Sequence, residues 1–268
     1  MNKGERDELL IKIKLLAMQK NNEPIPDVGI INTLINPSSK NDQGLLHFDQ
    51  NIEINNLNST LNKIENYNDE ELNNYAIKIG LQKGIPFAKA DIIINNLGVS
   101  LKSTRNAPPA LVNHTTRPGF EFAAKNYSGD IYELDKIINE YWILRLSNNI
   151  RQDVKAIDAP FINKKEIIKP FLNYFLFCGS GSRISSHPAK IILSFESPLD
   201  TNSWKIYDES NSIDHYWDKL VFSMRSKGMP DGYPNVSSRM SEKKTSIDIW
   251  TNYINDKYKG SLHIRAER

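Results

Sequence analysis

The run Ala90-Asp91-Ile92-Ile93-Ile94 constrains this chain more than any other segment. Three consecutive isoleucines are β-branched, stiff in a helix, and suited to the pleated surface of a strand. Asn95-Asn96 supplies a turn and Gly98-Val99-Ser100-Leu101-Lys102 a returning strand, so the segment is expected to close as a hairpin. Asp91 then begins one strand and Lys102 ends the next, and the two side chains can meet across the pair. Ser100 and Lys102 share one face, whereas Leu101 points the other way, into a core.

An acid and a lysine so placed suit phosphodiester hydrolysis. That reaction needs a cation against the phosphate charge, a water made nucleophilic, and a group to orient that water. Asp91 is expected to hold Mg²⁺ together with the backbone carbonyl of Leu101, leaving Lys102 to act on the water. Taken alone, the same pair also fits a half-buried hairpin decorated at both ends.

The rest of the chain reads as mixed helix and strand. Residues 4–20 carry Leu9, Leu10, Ile13, Leu16 and Ala17 at helical spacing, with Glu5 on the same face and Glu8 one position off it. Both acids also suit a helix N-terminus for dipole reasons alone. Short elements are expected near 28–36 and 44–55, and a helix over 69–81. Further helices are expected within 107–125 (entered through Pro108-Pro109) and over 129–147, 164–177, 212–226 and 246–255. Strands are expected at Ala189–Phe195 and Gly260–Ala266, and a loop over 228–245. A soft cut near 126/127 separates a catalytic half, 1–126, from a helical and loop-rich half, 127–268, given over to recognition and dimerisation.

The hairpin, taken with Asn2-Lys3-Gly4-Glu5 and Ser100-Leu101-Lys102-Ser103, resembles the PD-(D/E)xK nucleases, and among them the HpaII-type restriction endonucleases. Ser100 stands where the superfamily usually places an acid. The resemblance implies that Glu5, carried on the N-terminal helix, replaces it. It further implies an α/β (α+β) fold with a restriction-endonuclease-like core, a mixed sheet flanked by helices. The implied activity is Mg²⁺-dependent cleavage of specific double-stranded DNA sites by a Type II enzyme. The implied site is Glu5, Asp91, Ser100 and Lys102, with Glu5, Asp91 and Leu101 around the metal. A homodimer and a partner DNA methyltransferase belong to the same expectation. Two other readings stay open: a structure-specific or repair nuclease, and a non-catalytic DNA-binding protein with a nuclease-like core.

Polar and basic residues beyond the hairpin are candidate DNA contacts. Ser103 and Arg105 follow the lysine directly. Asn113 and Arg117 belong to a cluster that reads equally well as cleft lining or as a helix end. Arg183 closes Gly179-Ser180-Gly181-Ser182, a flexible connection or a cradle for a backbone phosphate. Arg225, Lys227, Arg239, Lys243 and Lys244 gather near Tyr233, as a basic loop on DNA or a solvated one. The Gly-Ser run lacks the Lys-Ser/Thr ending of a P-loop, and no Gly-x-Ser-x-Gly elbow marks a serine hydrolase. A net charge of +2 neither requires nor excludes nucleic acid. Cys178 is the only cysteine, the first residues lack an apolar signal core, and no run is long enough to span a bilayer, which together point to the cytoplasm.

Overall fold

The computed structural model describes Met1 and residues 3–21, 23–25, 54–79, 81, 88–94, 97–105 and 110–267. The elements expected near 28–36 and over most of 44–55, the Asn95-Asn96 turn and the Pro108-Pro109 entry lie outside these residues. In chain order, helices α1 (Lys3–Asn21), α2 (Ile54–Leu61) and α3 (Asp69–Lys78) precede strands β1 (Ile92–Ile94), β2 (Leu97–Ser103) and β3 (Ala110–Thr116). Next come α4 (Arg117–Asn126), α5 (Ile131–Leu146), β4 (Asp153–Lys155), α6 (Lys165–Asn173), β5 (Gly179–Ser180) and β6 (Arg183–Ile184). Strands β7 (Ile191–Phe195) and β8 (Lys205–Asp208) lead to α7 (Ser212–Tyr216) and β9 (Leu220–Arg225). Helix α8 (Ser238–Trp250) and strands β10 (Asn252–Ile254), β11 (Lys257–Lys259) and β12 (Ser261–Ala266) follow. Mixed α+β architecture is therefore present, with one mixed four-stranded sheet beside antiparallel ones.

The chain divides into two compact units, though not at 126/127. The first joins Met1–Ala107 to Ser186–Ser210; the second joins Pro108–Ser185 to Asn211–Arg268. In sequence, then, most of the second unit is inserted between β2 and β7.

The first unit is built on the sheet order β1-β2-β7-β8. Strands β1 and β2 form the expected antiparallel hairpin, with Ile92 opposite Val99 and Ile94 opposite Leu97. Strand β2 runs parallel to β7, Leu101 facing Leu193, and β8 returns antiparallel. Gly98 is fixed by a close approach: a Cβ there would fall 2.2 Å from the carbonyl oxygen of Pro188, and backbone cannot yield. Helix α1 lays Leu10, Ile13, Leu16 and Ala17 into a core shared with Val99, Leu101, Leu193, Phe195 and Trp204. It is buried more widely than one stripe, since Ile11, Leu15 and Met18 are also enclosed. Helix α3 starts on a capping box: the Asn68 side chain accepts from the amides of Glu70 and Glu71, and Glu71 accepts from the Asn68 amide at 2.8 Å.

The second unit holds an antiparallel sheet, order β3-β12-β9-β4, and two short ribbons, β5-β6 and β10-β11. Phe120 packs against Phe171, Phe175 and Trp250 to centre its helical layer. Several expectations are corrected here. Residues 110–116 form a strand, because Leu111 and Val112 are buried in the sheet and the helix waits for Pro118 in its first turn. Only 212–216 of the expected 212–226 helix is α-helical, and 220–225 is a strand whose residues 220–224 are buried on both faces. The expected loop 228–245 instead enters α8 at Ser238, and Asn252–Ile254 pairs with Lys257–Lys259 through Asn255 and Asp256, both at positive φ. Helix α6 ends at Asn173 and passes into a π-helical turn over Tyr174–Cys178. No helix among the described residues is long and apolar enough to cross a membrane.

Candidate active site

Asp91 sits just before β1 and bridges the hairpin. Its amide donates to the Val99 carbonyl at 2.9 Å. Its carboxylate Oδ2 accepts from the Leu101 amide at 2.7 Å and from the Ser100 hydroxyl at 3.3 Å. These bonds extend the hairpin's grip past the end of the strand and fix the carboxylate. Among the described residues nothing donates to Oδ1. Asp91 also lines a cleft of about 740 Å³ whose walls come from α1, α3 and the approach to β1.

Glu5 lines the same cleft. Helix α1 brings it there by burying its apolar residues in the core it shares with the sheet. Glu8 and Lys12 line the cleft too, and so does Leu9. Positions 5, 8, 9 and 12 form one helical face, so the offset read for Glu8 does not take it away from Glu5. Glu8 pairs with Lys12, whose side chain is only 2% exposed. From α3, Asp69 and Glu70 join the walls. Asp69 is held below the usual carboxylate range by the Met1 amine and the Arg6 guanidinium, and bonds the latter at 3.1 Å.

Lys102 is placed differently. It shares the Ser100 face of β2, opposite the core-directed Val99 and Leu101, and is absent from the walls of the cleft. Ser100 is buried and bonded to Asp91. The structure thus joins Asp91, Ser100 and Leu101 through hydrogen bonds, and Glu5 and Asp91 through a common cleft, but does not seat Lys102 in that cleft. Lys12 carries no motif of its own, and a lysine in a charged helix usually marks a solvated face. Its spacing of seven from Glu5 was the available signal.

The oxygen donors of Glu5, Glu8 and Asp91 suit a hard divalent cation. Among the described residues no three His, Cys, Asp or Glu side chains gather as a ready metal cluster. Mg²⁺ asks for less, since one or two carboxylates, waters and a substrate phosphate complete its shell. Glu5 and Asp91 are the two carboxylates of that kind that the sequence singled out, and both line this cleft.

The candidate DNA contacts divide by environment. Ser103 donates to Asp7 of α1 at 2.7 Å, and Arg105 lies 3.7 Å from the same buried carboxylate. These two residues anchor α1 to β2, although Arg105 remains half exposed. The Arg117 guanidinium is buried and forked onto Asp135 at 2.7 and 2.8 Å, with Glu121 and Ser246 as further partners. Four of its five donors are engaged in this way. Arg225 is bonded to Asp153 at 2.6 Å, and Lys244 to Asp248 at 2.7 Å beside the Tyr233 ring. Asn113, Arg183, Lys227 and Lys243 are exposed in the second unit, and the side chain of Arg239 lies outside the description.

Beside Arg225, His114 and His263 stack with ring centroids 4.3 Å apart. Burial, then the neighbouring imidazole and the cations Lys227 and Arg225, hold His114 down to about 4. Burial and Arg225 also lower His263. Both rings are thus neutral near pH 7. Compared with protein-family models, curated proteins and solved structures, the chain matches none.

Proposed function

We propose that this chain is a divalent-metal-dependent endonuclease acting on double-stranded DNA, built on a restriction-endonuclease-like core of the PD-(D/E)xK kind. The observation that carries the reading is that Glu5 and Asp91, distant in sequence, open on one cleft. A helix-borne glutamate there supplies the carboxylate missing at Ser100. Support also comes from the mixed sheet, in which the Asp91 hairpin is continued by a parallel strand.

Glu5 and Asp91 would hold Mg²⁺, with the Leu101 carbonyl as a further candidate ligand. The ion, when bound, offers Lewis-acid stabilisation of phosphate charge and a more acidic water. The protein's share is positional. Leu101 and Ser100 donate to Oδ2 of Asp91, and no described residue donates to Oδ1. Burial of α1 fixes the base of the Glu5 side chain. Lys102 is the part of the resemblance that fits least, being outside the cleft walls.

A Type II restriction enzyme acting on a palindromic site favours a symmetric homodimer, and a DNA methyltransferase would protect the host genome. The test is incubation of the full chain with Mg²⁺ and plain duplex DNA. Discrete fragments, lost in Glu5→Gln, support site-specific cleavage. Cutting confined to branched DNA indicates a structure-specific nuclease. Binding without cutting, with no metal uptake, indicates a non-catalytic DNA-binding protein and overturns the proposal.

A further inference from the structure

Among the described residues that line the cleft of Glu5 and Asp91, the lysine is Lys12. This side chain is 2% exposed and ranks among the largest fully buried ones. Its neighbours Ile11, Ile13 and Leu15 are apolar and buried, so a leucine or methionine would fill position 12 without desolvating a charge. Burying an ammonium is unfavourable unless it is paired, and a single partner is a thin return. Glu8, one turn back, is that partner, and Lys12 has no other among the described residues. An ammonium carries three donors, so two remain for a ligand.

Electrostatics give those donors a direction. Glu5, Glu8, Glu70 and Asp91 line the cleft, while Asp69 is already occupied by the Met1 amine and Arg6. A nucleic-acid phosphate entering such walls needs positive charge to meet it. Lys102 does not line the cleft; Lys12 does.

We propose that Lys12 contacts the phosphate of the bound nucleic acid, with Glu8 holding it in place; the inference rests on the nuclease reading of the same site. It reassigns to α1 the cation that the hairpin motif alone places at Lys102. Glu5, Glu8 and Lys12 then act as one functional face of a single helix.

The experiment measures binding of linear duplex DNA in Ca²⁺ across a salt series, by fluorescence anisotropy, for the parent, Lys12→Met and Lys102→Met. Each phosphate contact adds about 0.9 to the slope of log K against log salt. Lys12→Met is expected to lower that slope by about one, weaken binding roughly tenfold, and slow cleavage in Mg²⁺ roughly a hundredfold or more. Lys102→Met is expected to leave the slope unchanged. Should Lys12→Met not fold, Lys12→Gln, which keeps a polar end against Glu8, gives the same comparison. Lys12→Arg is expected to restore the slope. An unchanged slope on loss of the Lys12 charge, or a loss that follows Lys102 instead, overturns the assignment. A parent that binds with the Lys12-dependent slope yet cuts nothing in Mg²⁺ or Mn²⁺ removes the nuclease reading and leaves the phosphate contact standing. A parent that binds no DNA overturns both.

Discussion

Asp91 has two separable duties, and two substitutions divide them. Its Oδ2 satisfies the Leu101 amide at 2.7 Å, in a residue only 8% exposed, and Asp91 itself lines the cleft. Asp91→Ala removes both functions. The Leu101 amide then lacks its charged acceptor, and the Ser100 hydroxyl loses a weaker bond. A hydrogen bond to a charged group contributes about 1.5–3 kcal/mol, so Asp91→Ala should destabilise the first unit by about 2–3 kcal/mol. Asp91→Asn keeps a carbonyl oxygen for the amide and exchanges a charged acceptor for a neutral one, at about 1 kcal/mol. Both variants lose the carboxylate charge toward the cleft, and both should cut at least about a hundredfold more slowly if each catalytic contribution is at least about 2.7 kcal/mol. Hydrogen exchange over the β2 peptide reads the amide bond, urea unfolding reads stability, and single-turnover cleavage in Mg²⁺ reads the chemistry. The informative variant is Asn, expected to be folded, protected at Leu101 and inactive. Parental cleavage by Asp91→Asn would refute the metal role. Parental exchange protection in Asp91→Ala would refute the bridge.

Two further outcomes follow from the second unit. Arg117→Met strands Asp135, whose other donor among the described residues is the Trp250 indole at 2.7 Å. Breaking a buried pair from one side costs about 3–5 kcal/mol, and Arg117→Met with Asp135→Leu should recover part of it; a urea-measured loss under about 1 kcal/mol would remove this network from the fold's support. The stacked histidines set an acid limit. His114 is held down to about 4 in the fold, whereas the unfolded ring takes a proton near its ordinary 6.5. The unfolded chain therefore binds more protons between those values, and stability falls as pH is lowered through that window. Melting curves at several pH values should show the fall and its reduction in a His114→Gln, His263→Gln double variant; a parental profile flat from 7 to about 4.5 contradicts it.

What could be read from the sequence depended on how locally each feature is encoded. The β1-β2 hairpin was legible because its strands are neighbours, and α1 because its apolar residues recur at helical spacing. Strand β9 was not. Ile213, Tyr216, Trp217, Leu220 and Met224 fit a helical stripe, but Leu220–Met224 is a continuous run buried on both faces, which periodicity does not distinguish from a buried helix. Helix α8 failed for the opposite reason: only Ile247 and Trp250 of its described side chains are fully enclosed, so its sequence reads as polar loop. Arg117 looked like a DNA contact because Asp135 reaches it from α5 only through tertiary packing, while Glu121 stands one turn along its own helix.

The same contrast explains why the site was more legible than the architecture around it. Parallel pairing of β2 with β7 requires a crossover, and here the chain makes a long one, with residues from Pro108 to Ser185 intervening. Nothing local in 97–103 names 191–195 as its neighbour. The cleft avoids that difficulty, because the described residues lining it lie between Met1 and Asp91. Its described lining is thus decided by three local patterns, the helices α1 and α3 and the hairpin, and by the packing that brings α1 onto the sheet. Lys12 belongs to that packing alone. Its burial follows from how widely α1 is enclosed rather than from any motif, and so the proposed phosphate contact emerges only once the helix is seated.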